Sequence, residues 1–274
     1  MNNLKNNHNK KRIRLYFLIS HGVPFFITIL AMFFANTLFI TSSIWGNIIY
    51  ISMLSPLYAA LFIIFYFYNK EQRINYFKSI INFKQIPVGW YIFIILLPIL
   101  IRLTGSFLAA ILTNANFQFF ISKEMNISYA LFLLFFGPIH EEMGWRGIAL
   151  PELNKIYSFN TSVIYLGIMW AIWHLPLFFI ENTYQNQLGL FTLSFWNFML
   201  SIIFISIIYG LIYFKTEGSI LAVILFHYFG NLSGETFILT AQSETFTTVL
   251  RMVIALIILY YYRDNKIYGY KNNP

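Results

Sequence analysis

Apolar residues in this chain gather in long unbroken blocks, not in the alternating patterns of half-buried strands. Blocks of roughly 18 or more such residues read as membrane-crossing helices. They run near Leu15–Ile40, Ile48–Tyr68, Val88–Leu112, Ile127–Leu150, Ser162–Ile180, Phe191–Phe214, Ser219–Gly234 and Thr245–Tyr262. The expectation is an all-α polytopic integral membrane protein, with about eight transmembrane helices around an intramembrane polar cavity. The fourth and seventh blocks are the least apolar and carry the polar motifs, as helices lining a cavity should. Between the second and third blocks, Lys70–Gln85 mixes charged residues with Ile74, Tyr76, Phe77, Ile80, Ile81 and Phe83. That pattern predicts an amphipathic helix lying at the membrane interface.

Composition reinforces the reading. Of 274 residues, 58% are hydrophobic and only 10% charged. Cysteine is absent, which excludes disulfides and thiolate metal sites. No cleavable signal peptide is evident, so the first block is expected to be a retained span. The formal net charge of +8 is distributed in a telling way. Lys5, Lys10, Lys11, Arg12 and Arg14 precede the first span; Lys70, Arg73, Lys78 and Lys84 follow the second. Lys155, Lys215, Arg263, Lys266 and Lys271 fall in the later segments on the same side, and the other side holds only Lys123. The positive-inside rule then predicts a multi-pass cell-membrane protein with both termini cytoplasmic. Basic residues dispersed in short juxtamembrane segments also argue against nucleic acid as a partner. Residues 1–14 are expected to form a disordered basic tail, 15–262 one membrane domain and 263–274 a second cytoplasmic tail.

Against this apolar background the polar residues stand out, because a charge within a bilayer costs several kcal/mol unless paired or hydrated. In Glu141-Glu142-Met-Gly-Trp-Arg146, Glu142 and Arg146 are four apart and share a helical face, so they can pair. Glu141 is turned about 100° away and stays free for proton transfer. Gly137-Pro138 just before it can kink or start a helix. Trp170 and His174 share a face one turn apart, as do His227 and Asn231. Arg102 stands alone in the third span, as a counter-ion or a snorkelling side chain. Any one of these could be helix-packing glue; together they point to a site.

Two chemistries use them. In a metal-free arrangement, Glu141 and His174 position and deprotonate a water, while His227 and Asn231 form an oxyanion hole. Alternatively Glu141, His174 and His227 form a His2Glu zinc site. His140-Glu141-Glu142-Met143-Gly144 departs from HExxH, and Asn231 is a poor zinc ligand, so no cofactor is favoured.

The order EExxxR, then WxxxH, then HxxxN, each in its own hydrophobic segment, resembles the CAAX protease and bacteriocin-processing (CPBP, or Abi) family. That family includes the type II CAAX prenyl endopeptidases and their bacterial relatives. The matching residues are Glu141, Glu142 and Arg146; Trp170 and His174; His227 and Asn231. The core motifs span 131–234. Where the family usually has Phe in the second motif, this chain has Trp170. The resemblance implies an eight-helix fold whose site opens toward the cytoplasm and laterally to lipid. It implies hydrolysis of a peptide bond in a membrane-associated peptide or protein, with Glu141 as base and His174 assisting. His227 and Asn231 would hold the oxyanion, and Glu142, Arg146 and Trp170 would give structural support. Peptide maturation and bacteriocin self-immunity are roles implied for bacterial relatives. The alternative function is a non-catalytic membrane immunity or scaffold protein of the same fold. A proton-coupled transporter is disfavoured, since no inverted repeat is visible.

Overall fold

The computed structural model describes residues 2–34, 42–113, 120–121, 126–181 and 183–263. Thirteen α-helices are described: α1 (Asn2–Phe34), α2 (Ser42–Ser52), α3 (Ser55–Phe67), α4 (Lys70–Ile81), α5 (Val88–Thr113), α6 (Ile127–Leu134), α7 (His140–Gly144), α8 (Leu150–Asn154), α9 (Phe159–Trp173), α10 (Tyr184–Leu188), α11 (Leu193–Lys215), α12 (Ile220–Thr236) and α13 (Ala241–Tyr261). Phe120–Ile121 and Phe237–Ile238 pair as a two-residue antiparallel ladder, β1 with β2.

Among the described residues, six helical stretches are long and apolar enough to cross a membrane: Asn9–Phe34, Ile44–Phe67, Val88–Thr113, Phe159–Phe179, Leu193–Lys215 and Ala241–Tyr261. The two other expected blocks take different forms. Ile127–Leu150 is divided into α6, α7 and part of α8 by π-helical turns at Phe135–Ile139 and Trp145–Ala149. The first break has non-helical torsions at Phe136 (φ −96, ψ 21), beside the Gly137-Pro138 step expected to kink. The seventh block becomes α12, only 17 residues long. Both carry the charged and polar motifs, which dilute their apolar runs.

Local sequence sets the helix starts. Side chains of Ser158, Thr192, Ser219 and Thr240 accept bonds from backbone N–H groups at the beginnings of α9, α11, α12 and α13. The expected interfacial helix is α4, opened by a reciprocal Asn69–Gln72 capping box. Arg73 on α4 donates to the carbonyls of Ile64, Phe65 and Tyr68, satisfying the end of α3. Ile74, Phe77 and Ile81 are exposed, while Tyr76 is buried and its hydroxyl donates to the Met143 carbonyl at 2.6 Å.

The segment 1–14, expected as a tail, contains the beginning of α1 at Asn2. The tail's later half has partners: Ile13 is buried and Arg12 lies 3.5 Å from Glu152 of α8. Of the expected C-terminal tail, 264–274 lies outside the described residues.

The bundle packs α5 against α13 and α12, α11 against α9 and α13, and α1 against α3. Helices in lipid gain no hydrophobic drive from meeting, so small residues matter at their contacts. A Cβ on Gly167 of α9 would sit 3.0 Å from the Ile203 carbonyl oxygen of α11, so glycine sets that approach. Polar ties add register: Trp173 donates to Ser55 at 3.1 Å, and Ser55 donates to the Ser20 carbonyl at 2.6 Å. Through them α9, α3 and α1 are fastened behind the site.

Candidate active site

Each candidate motif arrives on a different element. The Phe135–Ile139 break and α7 bring Glu141 and Glu142, the end of α9 brings Trp170 and His174, and α12 brings His227 and Asn231. Glu141, Glu142, His174 and His227 are all buried. Glu141, His174, His227 and Asn231 line one cavity of about 1260 Å3.

Arg146 donates to both oxygens of Glu142, each at 3.0 Å, as the four-residue spacing predicts. Its second terminal nitrogen donates to Ser206 at 3.1 Å. The guanidinium is sandwiched between the rings of Trp170 and Tyr209, with its carbon 4.5 and 4.3 Å from their centroids. In a low-dielectric interior such an ion pair needs contacts of this kind to offset desolvation; only the guanidinium Nε, buried without a hydrogen-bond partner, stays outside them.

The same Glu142 accepts a bond from His227 Nδ1 at 2.9 Å. Glu142 therefore ties the first motif to the third, across 85 residues of sequence. Glu141, turned to the other side, accepts from the Trp170 indole N–H at 2.6 Å. The aromatic residue where the family usually has Phe thus supplies a hydrogen bond that Phe could not.

The imidazole protons follow from these partners. His174 Nδ1 lies 2.7 Å from the Trp170 carbonyl oxygen, which can only accept, so Nδ1 carries the proton. His174 Nε2 is then left with a lone pair, able to accept from a water. For His227, Nδ1–H donates to the Glu142 carboxylate. Its Nε2 donates to an oxyanion only when the ring is an imidazolium; the neutral ring would present a lone pair. Asn231 comes close as well: a Cβ on Gly137 would lie 3.2 Å from Asn231 Nδ2 and 4.0 Å from a Glu141 carboxylate oxygen. Glycine at 137 leaves the space in which carboxylate and carboxamide approach each other.

Both imidazoles direct Nδ1 at a protein acceptor, the way metal-ligating histidines are commonly oriented. Among the described residues, no three His, Asp or Glu side chains are grouped closely enough to hold one ion as they stand. Asn231 would add only a weak donor.

Arg102, expected as a lone cation, pairs with Glu244 of α13 at 3.1 Å and donates to the Phe237 carbonyl at 2.8 Å. Three participants escaped the sequence reading. Tyr209 and Ser206, one turn apart on α11, complete the Arg146 cradle; a serine sharing a face with a tyrosine inside an apolar span was the available signal. His140 is buried, lines the cavity and has its ring 6.5 Å from that of Trp173. Its signal was the HEE run, set aside because the second histidine of HExxH is missing.

Fold and site together define a multi-pass helical membrane protein with a carboxylate–imidazole–carboxamide cavity, an arrangement suited to hydrolysis in a membrane. Residues 123–233 match the family described as type II CAAX prenyl endopeptidase Rce1-like. The chain is 33% identical over 269 residues to CAAX prenyl protease 2 of Methanococcus maripaludis, an alignment covering 93% of this chain and 95% of that protein. The chain belongs to the type II CAAX prenyl endopeptidase family, whose members are membrane endopeptidases.

Proposed function

We propose that the protein is an intramembrane endopeptidase in which Glu141 acts as general base on a water that also bonds to His174 Nε2. The water attacks the scissile carbonyl of a membrane-associated peptide or protein. The developing oxyanion is met by Asn231 Nδ2 and by Nε2–H of a protonated His227. Glu141 then passes the proton to the leaving amine. Glu142, held by Arg146, keeps the His227 ring oriented; Trp170 holds Glu141. The reading takes the glutamate-dependent chemistry over the zinc-dependent one, supported by the spacing of the donors. Its location is the cell membrane, with both termini cytoplasmic, supported by the distribution of lysine and arginine. Peptide maturation and bacteriocin self-immunity are roles this chemistry would suit.

The observation that carries the proposal is the convergence of Glu141, His174, His227 and Asn231 on one cavity, although 90 residues separate the first from the last. The test is cleavage of a membrane-tethered peptide by the purified protein and by Glu141→Ala and His227→Ala. Wild type should cleave and each variant should lose at least about 100-fold, the scale set by general-base and oxyanion contributions. Equal activity in all three would remove the mechanism. A non-catalytic immunity or scaffold role would instead be supported by full phenotypic complementation with Glu141→Ala.

A further inference from the structure

Away from the cavity, α4 carries a feature that the proposed hydrolysis does not use. Its Lys70, Ile74, Phe77, Lys78 and Ile81 recur at helical spacing and share one face. Tyr76 lies on the opposite face and is buried, whereas Ile81 is 69% exposed. The five side chains of the open face, with Arg73 and with Phe65 of α3, line a groove of about 430 Å3.

The groove combines apolar surface with positive charge. Phe65, Ile74, Phe77 and Ile81 supply the first, and Lys70, Arg73 and Lys78 the second. Among the described residues, no carboxylate stands within ion-pair distance of any of the three cations. Glu71, the acidic residue of α4, is exposed and does not line the groove. Arg73 gives its hydrogen bonds to the last carbonyls of α3. Lys70 and Lys78, both exposed, are left to meet a ligand from outside. They sit eight residues apart, about 12 Å along the helix axis, a gap that two flexible lysine stems can close on one headgroup.

The apolar side continues beyond the groove. Tyr58, Phe62 and Phe65 are exposed at i, i+4 and i+7 of α3, a stripe about 10 Å long. That helix belongs to the Ile44–Phe67 stretch, which is apolar enough to cross a membrane. Unpaired positive charge on an interfacial helix, joined to an apolar track along a span, has the two-part chemistry of a phospholipid.

We propose that this groove binds an anionic phospholipid, with its phosphate between Lys70 and Lys78 and one acyl chain laid along Phe65, Phe62 and Tyr58. Lysines without a carboxylate partner select a lipid of net negative charge over a zwitterionic one. The site is linked to the helix that carries Glu141 and Glu142. Tyr76, on the far face of α4, donates to the Met143 carbonyl, and a Cβ on Gly147 would lie 2.8 Å from the Tyr76 ring.

The test reconstitutes the full chain in phosphatidylcholine nanodiscs holding a trace of photoactivatable phosphatidylglycerol, or of phosphatidylcholine with the same chains. Cross-links are mapped by mass spectrometry of peptides. Each lysine beside an anionic lipid is worth about fivefold in binding. Peptides covering residues 58–81 should therefore be labelled at least about tenfold more by the phosphatidylglycerol probe, and Lys70→Gln/Lys78→Gln should remove most of that excess. Lys70→Arg/Lys78→Arg keeps both charges and should keep the excess, as should Lys84→Gln, which lies outside the groove. Equal labelling by the two probes, or an undiminished excess in the glutamine variant, overturns the proposal. So does the same loss in the arginine variant or in Lys84→Gln, which would mark misfolding or a diffuse surface attraction instead of a site. Cross-linking is read without hydrolysis, so the result stands apart from the endopeptidase proposal.

Discussion

Arg146→Met tests the heart of the site. The arginine is fully buried and donates to both oxygens of Glu142 and to Ser206. Methionine keeps much of the length and apolar stem but removes the charge. Glu142 would then be a buried carboxylate with His227 as its remaining described partner. Stranding one member of a buried pair costs about 3–5 kcal/mol. Each lost ring contact is worth up to about 2 kcal/mol when desolvated. One guanidinium makes all these contacts, so the terms overlap, and a total near 4–6 kcal/mol is expected. That is a large share of the roughly 5–15 kcal/mol that holds a typical domain together. The assay is reversible unfolding in mixed micelles, with Glu142→Gln/Arg146→Met measured alongside. The double variant carries no stranded charge, and its glutamine can still accept from His227, so it should recover at least about 2 kcal/mol. A single variant that loses less than about 1 kcal/mol, or a double variant no better than the single, would refute the argument that charge pairing organises this site.

His227→Gln keeps an amide donor near the place of the imidazole, so it should retain more activity than His227→Ala; equal losses in the two variants would remove His227 as an oxyanion donor. Chelation should leave cleavage intact if the glutamate-dependent reading holds, and loss on chelation with recovery on adding zinc would reverse it. Gly144→Ala should destabilise by about 1–3 kcal/mol through overpacking, because the new methyl would lie 2.6 Å from the Pro56 carbonyl oxygen and 2.7 Å from its Cβ; a melting curve matching wild type would mean that α3 and α7 are less closely pressed.

Much of this architecture was legible in the chain. Six of the apolar blocks became helices long enough to cross a membrane, five with ends within four residues of those expected and the first displaced by six at both ends. The Glu142–Arg146 pair was legible because one helical turn makes it. The two breaks flanking α7 were only half legible: Gly137-Pro138 announced the first, whereas nothing local to Trp145–Ala149 announced the second. The described helix over the first fourteen residues was missed because its composition argued for solvent, while Ile13 and Arg12 find partners on distant elements.

What the sequence alone determined is which segments enter the membrane and which polar residues enter with them. A bilayer requires every backbone polar group to be satisfied within its own segment, so local composition decides insertion. What only the tertiary structure decided is convergence. It joined His227 to Glu142, Trp170 to Glu141 and Arg102 to Glu244, the last pair 142 residues apart. Those outcomes depend on how helix surfaces fit and which small residues let them approach, and no stretch of apolar sequence encodes its neighbour.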